Sequence, residues 1–151
     1  MRWALLLMTI FGLTLGCRTV PDRPQAAPAA EQQLSEAFRV ALTFVKQSHR
    51  VVLVVLPRAM DDRTRRAIRA VCDTVDRKDV PETVGYSLPD GYFLVEYAVV
   101  DGSVARVTGV LGPVPKPRPG FVMLGCGTGY YIDLTVDGAT WKITKVLYRE
   151  C

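Results

Sequence analysis

Two Asp-Gly dipeptides place the tightest constraint on how this chain can fold. Asp101-Gly102 lies between the apolar runs Tyr92–Val100 and Ser103–Leu111, and Asp137-Gly138 lies between Tyr130–Val136 and Ala139–Tyr148. Along these runs apolar residues recur with a period of two, the spacing of strands that bury one face. An Asp-Gly pair between such runs predicts a two-residue hairpin, because the tight turn needs positive φ at its centre. With loops centred on the dipeptides, Leu134 faces Trp141 and Ile132 faces Ile143 on one apolar face, while Asp133 faces Lys142 on the other. In the first hairpin Glu96 then faces Val107, and Tyr97 faces Arg106. After Ile143 the alternation slips to Val146 and Tyr148, which predicts a bulge near Thr144 or Lys145.

Upstream the period changes. Leu34, Ala37, Phe38, Ala41, Leu42 and Val45 recur at helical spacing and predict a helix from Glu31 to about Ser48. The run Val51–Leu56, closed by Pro57, has the β-branched content of a buried strand, although a helical continuation reads equally well by periodicity. Asp61 or Asp62 can cap a second helix reaching about Val75, with Ala67, Ile68, Val71, Cys72 and Val75 as its apolar face. Arg63, Arg65, Arg66 and Arg69 lie off that stripe and read as a solvated face. The expected fold class is therefore α+β, with two N-terminal helices packed on a four-stranded antiparallel meander sheet. This order of elements resembles the cystatin-like and nuclear-transport-factor-2-like cones, in which a curved sheet wraps a long helix.

The chain has 151 residues, 49% apolar and 23% charged, enough for one domain and too apolar for wholesale disorder. Its net charge of +4 is mild, and its basic residues are scattered, so nucleic acid is not an expected partner. The N-terminus is more specific. Arg2 precedes the uncharged run Trp3–Leu15, which is shorter than the roughly 20 residues a membrane span needs and suits a secretory leader. Leu13-Thr14-Leu15-Gly16-Cys17 follows. This pattern resembles the bacterial lipoprotein signal, in which a cysteine after a small residue is lipidated and becomes the mature N-terminus. The resemblance implies a leader over 1–16, lipidation at Cys17 and attachment to a membrane through the lipid. With Arg18 rather than an aspartate after the cysteine, it implies the outer membrane. Residues 17–33, rich in Pro and Ala, read as an extended tether, and 34–151 as the domain.

Four candidate features carry chemistry. An exported protein meets an oxidising compartment, and a bridge between Cys126 and Cys151 is expected because Cys126 lies near the strand partner of Arg149 in the hairpin turning at Asp137-Gly138. Cys72 is expected to be a buried free thiol. No two cysteines have the C-x2-C spacing of a metal site, and His49 is the single histidine, so neither metal nor cofactor is expected. The run Gly125-Cys126-Gly127-Thr128-Gly129 lacks the lysine of a phosphate loop and precedes a strand; it reads as a close backbone crossing at the strand's entrance.

The segment from Gly112 to Gly120 places Pro113, Pro115, Pro117 and Pro119 at alternate positions around Lys116 and Arg118. Such a stiff, basic ridge reads as a connection, or as a contact for an envelope protein or an anionic polymer. Glu96 is the one alternative catalytic candidate: turned into a cone-like cavity it would act as a general base, as in ketosteroid-isomerase-like relatives of the cone folds. The functional expectation is a lipid-anchored, non-catalytic binding or assembly module of the cell envelope.

Overall fold

A computed structural model describes residues 29–80, 88–112 and 127–149. Among them are two helices, α1 (Ala29–Ser48) and α2 (Asp62–Arg69), and six strands: β1 (Leu53–Leu56), β2 (Thr74–Asp76), β3 (Tyr92–Asp101), β4 (Val104–Leu111), β5 (Thr128–Asp137) and β6 (Thr140–Arg149). The strands form one mixed sheet in the order β2-β1-β3-β4-β5-β6. The protein is α+β, but the sheet is not the four-stranded antiparallel meander the sequence suggests. That meander is present as β3–β6, and it is extended by β1 and β2, which run parallel to each other and to the start of β3.

The extension follows from two short segments. Val54, Val55 and Leu56 are all buried, Val54 and Leu56 in the main core and Val55 in a smaller cluster. A strand buried on both faces carries a continuous apolar run and no alternation, which is why periodicity leaves it open. The second helix stops at Arg69, well short of Val75. Thr74 and Val75 are β-branched, and they pair with Val54 and Val55. The result is a β1–α2–β2 crossover, placed before the meander.

One face of the sheet carries both helices. Helix α1 packs on α2 and lies against β3, β4, β5 and β6. Its expected apolar face is buried at every position, from Leu34 to Val45, against residues such as Phe93, Val95, Ile132, Leu134 and Trp141. The helix begins at Ala29, inside the stretch that reads as tether, where buried Glu31 meets Arg66 of α2 at 3.3 Å and Ser35 donates to the carbonyl of Ala67. On the opposite face, Val80 and Leu88 cover Val55, Val75, Tyr92 and Leu94. The outward face of β4 through β6 has no such cover among the described residues.

Both hairpins exist, but each turn sits one residue later than expected. Asp101 pairs with Val104 and Asp137 with Thr140, so the loops are Gly102-Ser103 and Gly138-Ala139. Gly102 and Gly138 have φ of 58° and 64°, and no non-glycine described residue has positive φ. Each turn therefore takes glycine at its first central position and leaves aspartate as the last strand residue. The pairing moves accordingly: Leu134 faces Ile143, Val136 faces Trp141, Ala98 faces Val107 and Tyr97 faces Thr108. Asp133 lies opposite Lys145, not Lys142, and its ion pair is with Arg106 of β4 at 2.6 Å, while Lys142 pairs with Asp137. The bulge expected near Thr144 is present, where the partner of Asp133 skips to Lys145.

Phe38 is completely buried at the centre of α1's apolar face. Phe38→Ala is expected to lower the unfolding free energy by about 3–5 kcal/mol in a denaturant titration, the range for truncating a core aromatic ring.

Candidate functional site

The sheet has a natural crevice where β1 ends and β3 continues. The last pairing between them joins Val55 to Leu94. Beyond it β3 runs on to Asp101 with no strand beside that edge among the described residues. The chain leaves β1 through α2 towards β2, whereas β3 leaves through a hairpin towards β4, so the two connections part company at this point. In open sheets with parallel strands, clefts at the carboxyl ends of strands form where connections diverge in this way.

A groove of about 380 Å³ occupies that position. One wall is the turn from β1 into α2, with Pro57, Ala59, Met60, Asp61 and Thr64; the other is Glu96–Val99 of β3. The first wall is held by Arg65, whose guanidinium donates from Nε to the carbonyl of Met60 at 3.0 Å, and from Nη2 to the carbonyls of Pro57 and Arg58. Its Nη1 reaches Asp76 of β2 at 2.7 Å. Arg65 is therefore no member of a solvated face: its side chain is 14% exposed. Arg63, Arg66 and Arg69 are exposed as expected. Asp61 closes the wall as the cap of α2, accepting from the amide of Thr64 at 2.9 Å. That bond holds the Asp61 carboxyl below the usual carboxylate range.

The second wall owes its shape to a bulge. Val95 pairs with Gly109 and Tyr97 with Thr108, leaving Glu96 as the extra residue. Glu96 is exposed at the lip of an open groove, not turned into an enclosed cavity. A cavity base requires the inward orientation, which Glu96 does not have. Hydrogen bonding alternates along an antiparallel strand, and the turn closes on Asp101 and Val104. By that alternation Ala98 and Val100 direct their main-chain groups away from β4, along the groove. The lining carries the carboxylates of Asp61 and Glu96 and no lysine, arginine, histidine or cysteine. It offers main-chain groups, negative charge and the apolar surface of Met60 and Pro57 to an occupant.

The other sequence candidates are distributed away from this groove. His49 follows the last turn of α1, and its ring meets Tyr130 edge-on at 5.8 Å. Cys72 is a free, half-buried thiol beside the carbonyl of Ile68, and burial pushes its pKa up. Gly127 stands at the entrance of β5, where an added Cβ would collide with the carbonyl of Leu111, the close crossing expected there. Cys17, the ridge residues Pro113, Pro115, Lys116, Pro117, Arg118 and Pro119, and the bridge pair Cys126 and Cys151 all lie outside the described residues. The register that suggests the bridge does change: the partner of Arg149 is Gly129, three residues beyond Cys126. No group of His, Cys, Asp and Glu among the described residues could hold a metal ion. No family model matches the chain, and no curated protein or solved structure is significantly similar to it.

Arg65→Met is expected to destabilise the fold by about 2–4 kcal/mol in denaturant titrations, because it strands three carbonyls and leaves Asp76 only its longer ion pair with Arg69. The acid limb has a defined sign. Asp61, and Asp133 beside Arg106, both ionise below the ordinary aspartate value, so their stabilisation is present above the unfolded-state pKa and is lost as pH falls through the folded one. Unfolding midpoints are expected to be level above about pH 5 and to fall below about pH 4, with a shallower fall in Asp61→Asn. A decline starting near neutrality would contradict this assignment.

Proposed function

We propose that the chain is a lipid-anchored protein of the cell envelope, held at a membrane through Cys17, and that its folded unit is a non-catalytic docking module. The observation that carries the docking role is the groove beside β3: an open cleft with a strand edge that no described residue pairs, a wall held by Arg65, and a lining of apolar surface and two carboxylates. A free edge recognises an extended chain segment through main-chain hydrogen bonds, while side-chain pockets set which segment fits. The bulge at Glu96 and the two carboxylates restrict that edge, since a charged or bulged edge resists indiscriminate pairing. The occupant that matches is an extended, basic segment of a partner protein. The anchor is supported by the leader pattern ending in Gly16-Cys17 and by the Pro-rich stretch after it, which would set the domain away from the bilayer.

Two measurements test the two halves. A palmitate analogue is expected to label the wild type and not Cys17→Ala; an unlabelled wild type would remove the anchor. A photo-reactive residue at Ala59 or at Val99 is expected to capture the same envelope protein in living cells, with none captured from Gln47 on the exposed side of α1, and Glu96→Lys is expected to abolish capture. Equal capture from all three positions, or capture indifferent to Glu96→Lys, would remove the groove as the docking site.

A further inference from the structure

The face of the meander that no described residue covers carries a second surface. Strand register places Tyr97, Thr108, Tyr131 and Leu147 side by side across β3, β4, β5 and β6. Residues paired across strands share a face, so these four form one row. Tyr97 is 51% exposed, Tyr131 38% and Leu147 51%, whereas Thr108 between the tyrosines is 8% exposed. The row is thus a shallow trough with two aromatic walls and a short polar floor. The tyrosines stand two strands apart, about 10 Å. That is close to the advance of one disaccharide along an extended β-linked glycan.

Charge is arranged around this row in a definite way. The neighbouring row holds Arg106 and Asp133 in a two-bonded ion pair, with Nε at 2.6 Å and Nη2 at 3.3 Å from the two carboxylate oxygens. At the β6 end, Lys145 and Arg149 flank Leu147 on the same face. Neither makes an ion pair among the described residues, whereas Lys142 on the same strand is paired with Asp137. The surface therefore combines aromatic rings, a planar pair of donors and acceptors, and two exposed cations, of which Lys145 lies opposite Asp133 and is attracted to its carboxylate while Arg149 stands at the far end of the row.

We propose that this face is a binding site for a carboxylate-bearing, β-linked glycan chain. Sugar C–H groups carry slight positive charge and pack against the negative faces of the tyrosine rings. The Arg106–Asp133 pair supplies donors and acceptors to ring hydroxyls, and Lys145 and Arg149 take the carboxylates. An anionic bilayer fits less well, because a broad flat surface would desolvate the whole Arg106–Asp133 ion pair, whereas a single chain lying along the tyrosine row leaves the outer side of that pair in water. The proposal adds a ligand class to the envelope role and rests on that role only for where the ligand is met. It would survive a failure of lipid labelling at Cys17, and glycan binding can fail while labelling succeeds.

The test uses the full chain in detergent and four probes: soluble glycan strands released from peptidoglycan, neutral chitohexaose, poly-L-glutamate, and phosphatidylglycerol vesicles. The anionic glycan strands are expected to bind most tightly, and their binding to weaken with salt. Tyr131→Ala is expected to weaken it about tenfold, the scale of one lost aromatic contact, and Tyr131→Phe to leave it within about twofold. Lys145→Ala with Arg149→Ala is expected to bring the affinity for the anionic strands down to that for chitohexaose. These are exposed positions, and unchanged thermal unfolding checks each variant. Poly-L-glutamate binding as tightly as the glycan would reduce the site to bulk charge. Tighter binding to vesicles would make it a membrane surface. Either result, or no binding to glycan strands, would overturn the proposal.

Discussion

The Arg65 guanidinium joins parts of the molecule that the sheet alone does not hold. It is anchored in α2, satisfies the carbonyls at which β1 gives way to its loop, and reaches across to Asp76 of the edge strand β2. Strand β2 has three residues and, among the described residues, a neighbour on one side only, so its pairing with β1 is a weak hold by itself. A planar group with five donors suits this position, because it meets several acceptors at once. The same bonds set the turn Pro57–Met60 as a rigid wall. Groove and crossover therefore stand or fall together, and a variant that loosens β2 would blunt the groove as well.

The two faces of the sheet divide the labour. The helix-bearing face buries nearly all the large apolar side chains, from Phe38 on α1 to Tyr130 and Trp141 on the meander. The other face is covered over β1 and the start of β3 by Val80 and Leu88, and beyond that it exposes Tyr97, Val104, Tyr131 and Leu147. Single exposed apolar residues are ordinary on protein surfaces. Here three of the four, Val104 apart, lie in one register row, with cations at its edge, and that ordering separates this patch from scatter.

Much of the core is legible from residue spacing, because α1 is covered on one side only and its stripe repeats cleanly. The hairpins are legible too, along with the bulge near Thr144, since they rest on local turn chemistry and alternation. Their registers differ from expectation because the Asp-Gly pair is not the turn centre: glycine alone supplies the positive φ, and Asp101 and Asp137 stay in the strands. The β1–β2 addition is hidden for a different reason. Its pairing is non-local, and a doubly buried strand carries no period. Arg65 is hidden among four arginines on one helix, where nothing local distinguishes the one whose acceptors lie in the preceding loop and on a later strand. The groove is hidden for the same reason, although Glu96 stands out in the sequence; its position on a bulge depends on the β3–β4 register, and so on where the first turn closes.

The groove and the open face meet at a single side chain. Tyr97 lines the lip of the groove and is also the first member of the aromatic row. It is the residue next to the bulge, so the way Glu96 seats in the edge bears on where this tyrosine stands in the row. A partner segment lying along β3 would therefore contact the wall against which a glycan packs. Two ligands that share one wall must affect each other, and thermodynamic linkage makes the effect equal in both directions. If the partner segment presses Tyr97 upright against the trough, each ligand strengthens the other; if it draws the ring down over the groove, each excludes the other. Comparing glycan affinity with and without the captured partner decides between these, and Tyr97→Ala must abolish the coupling whichever sign it has.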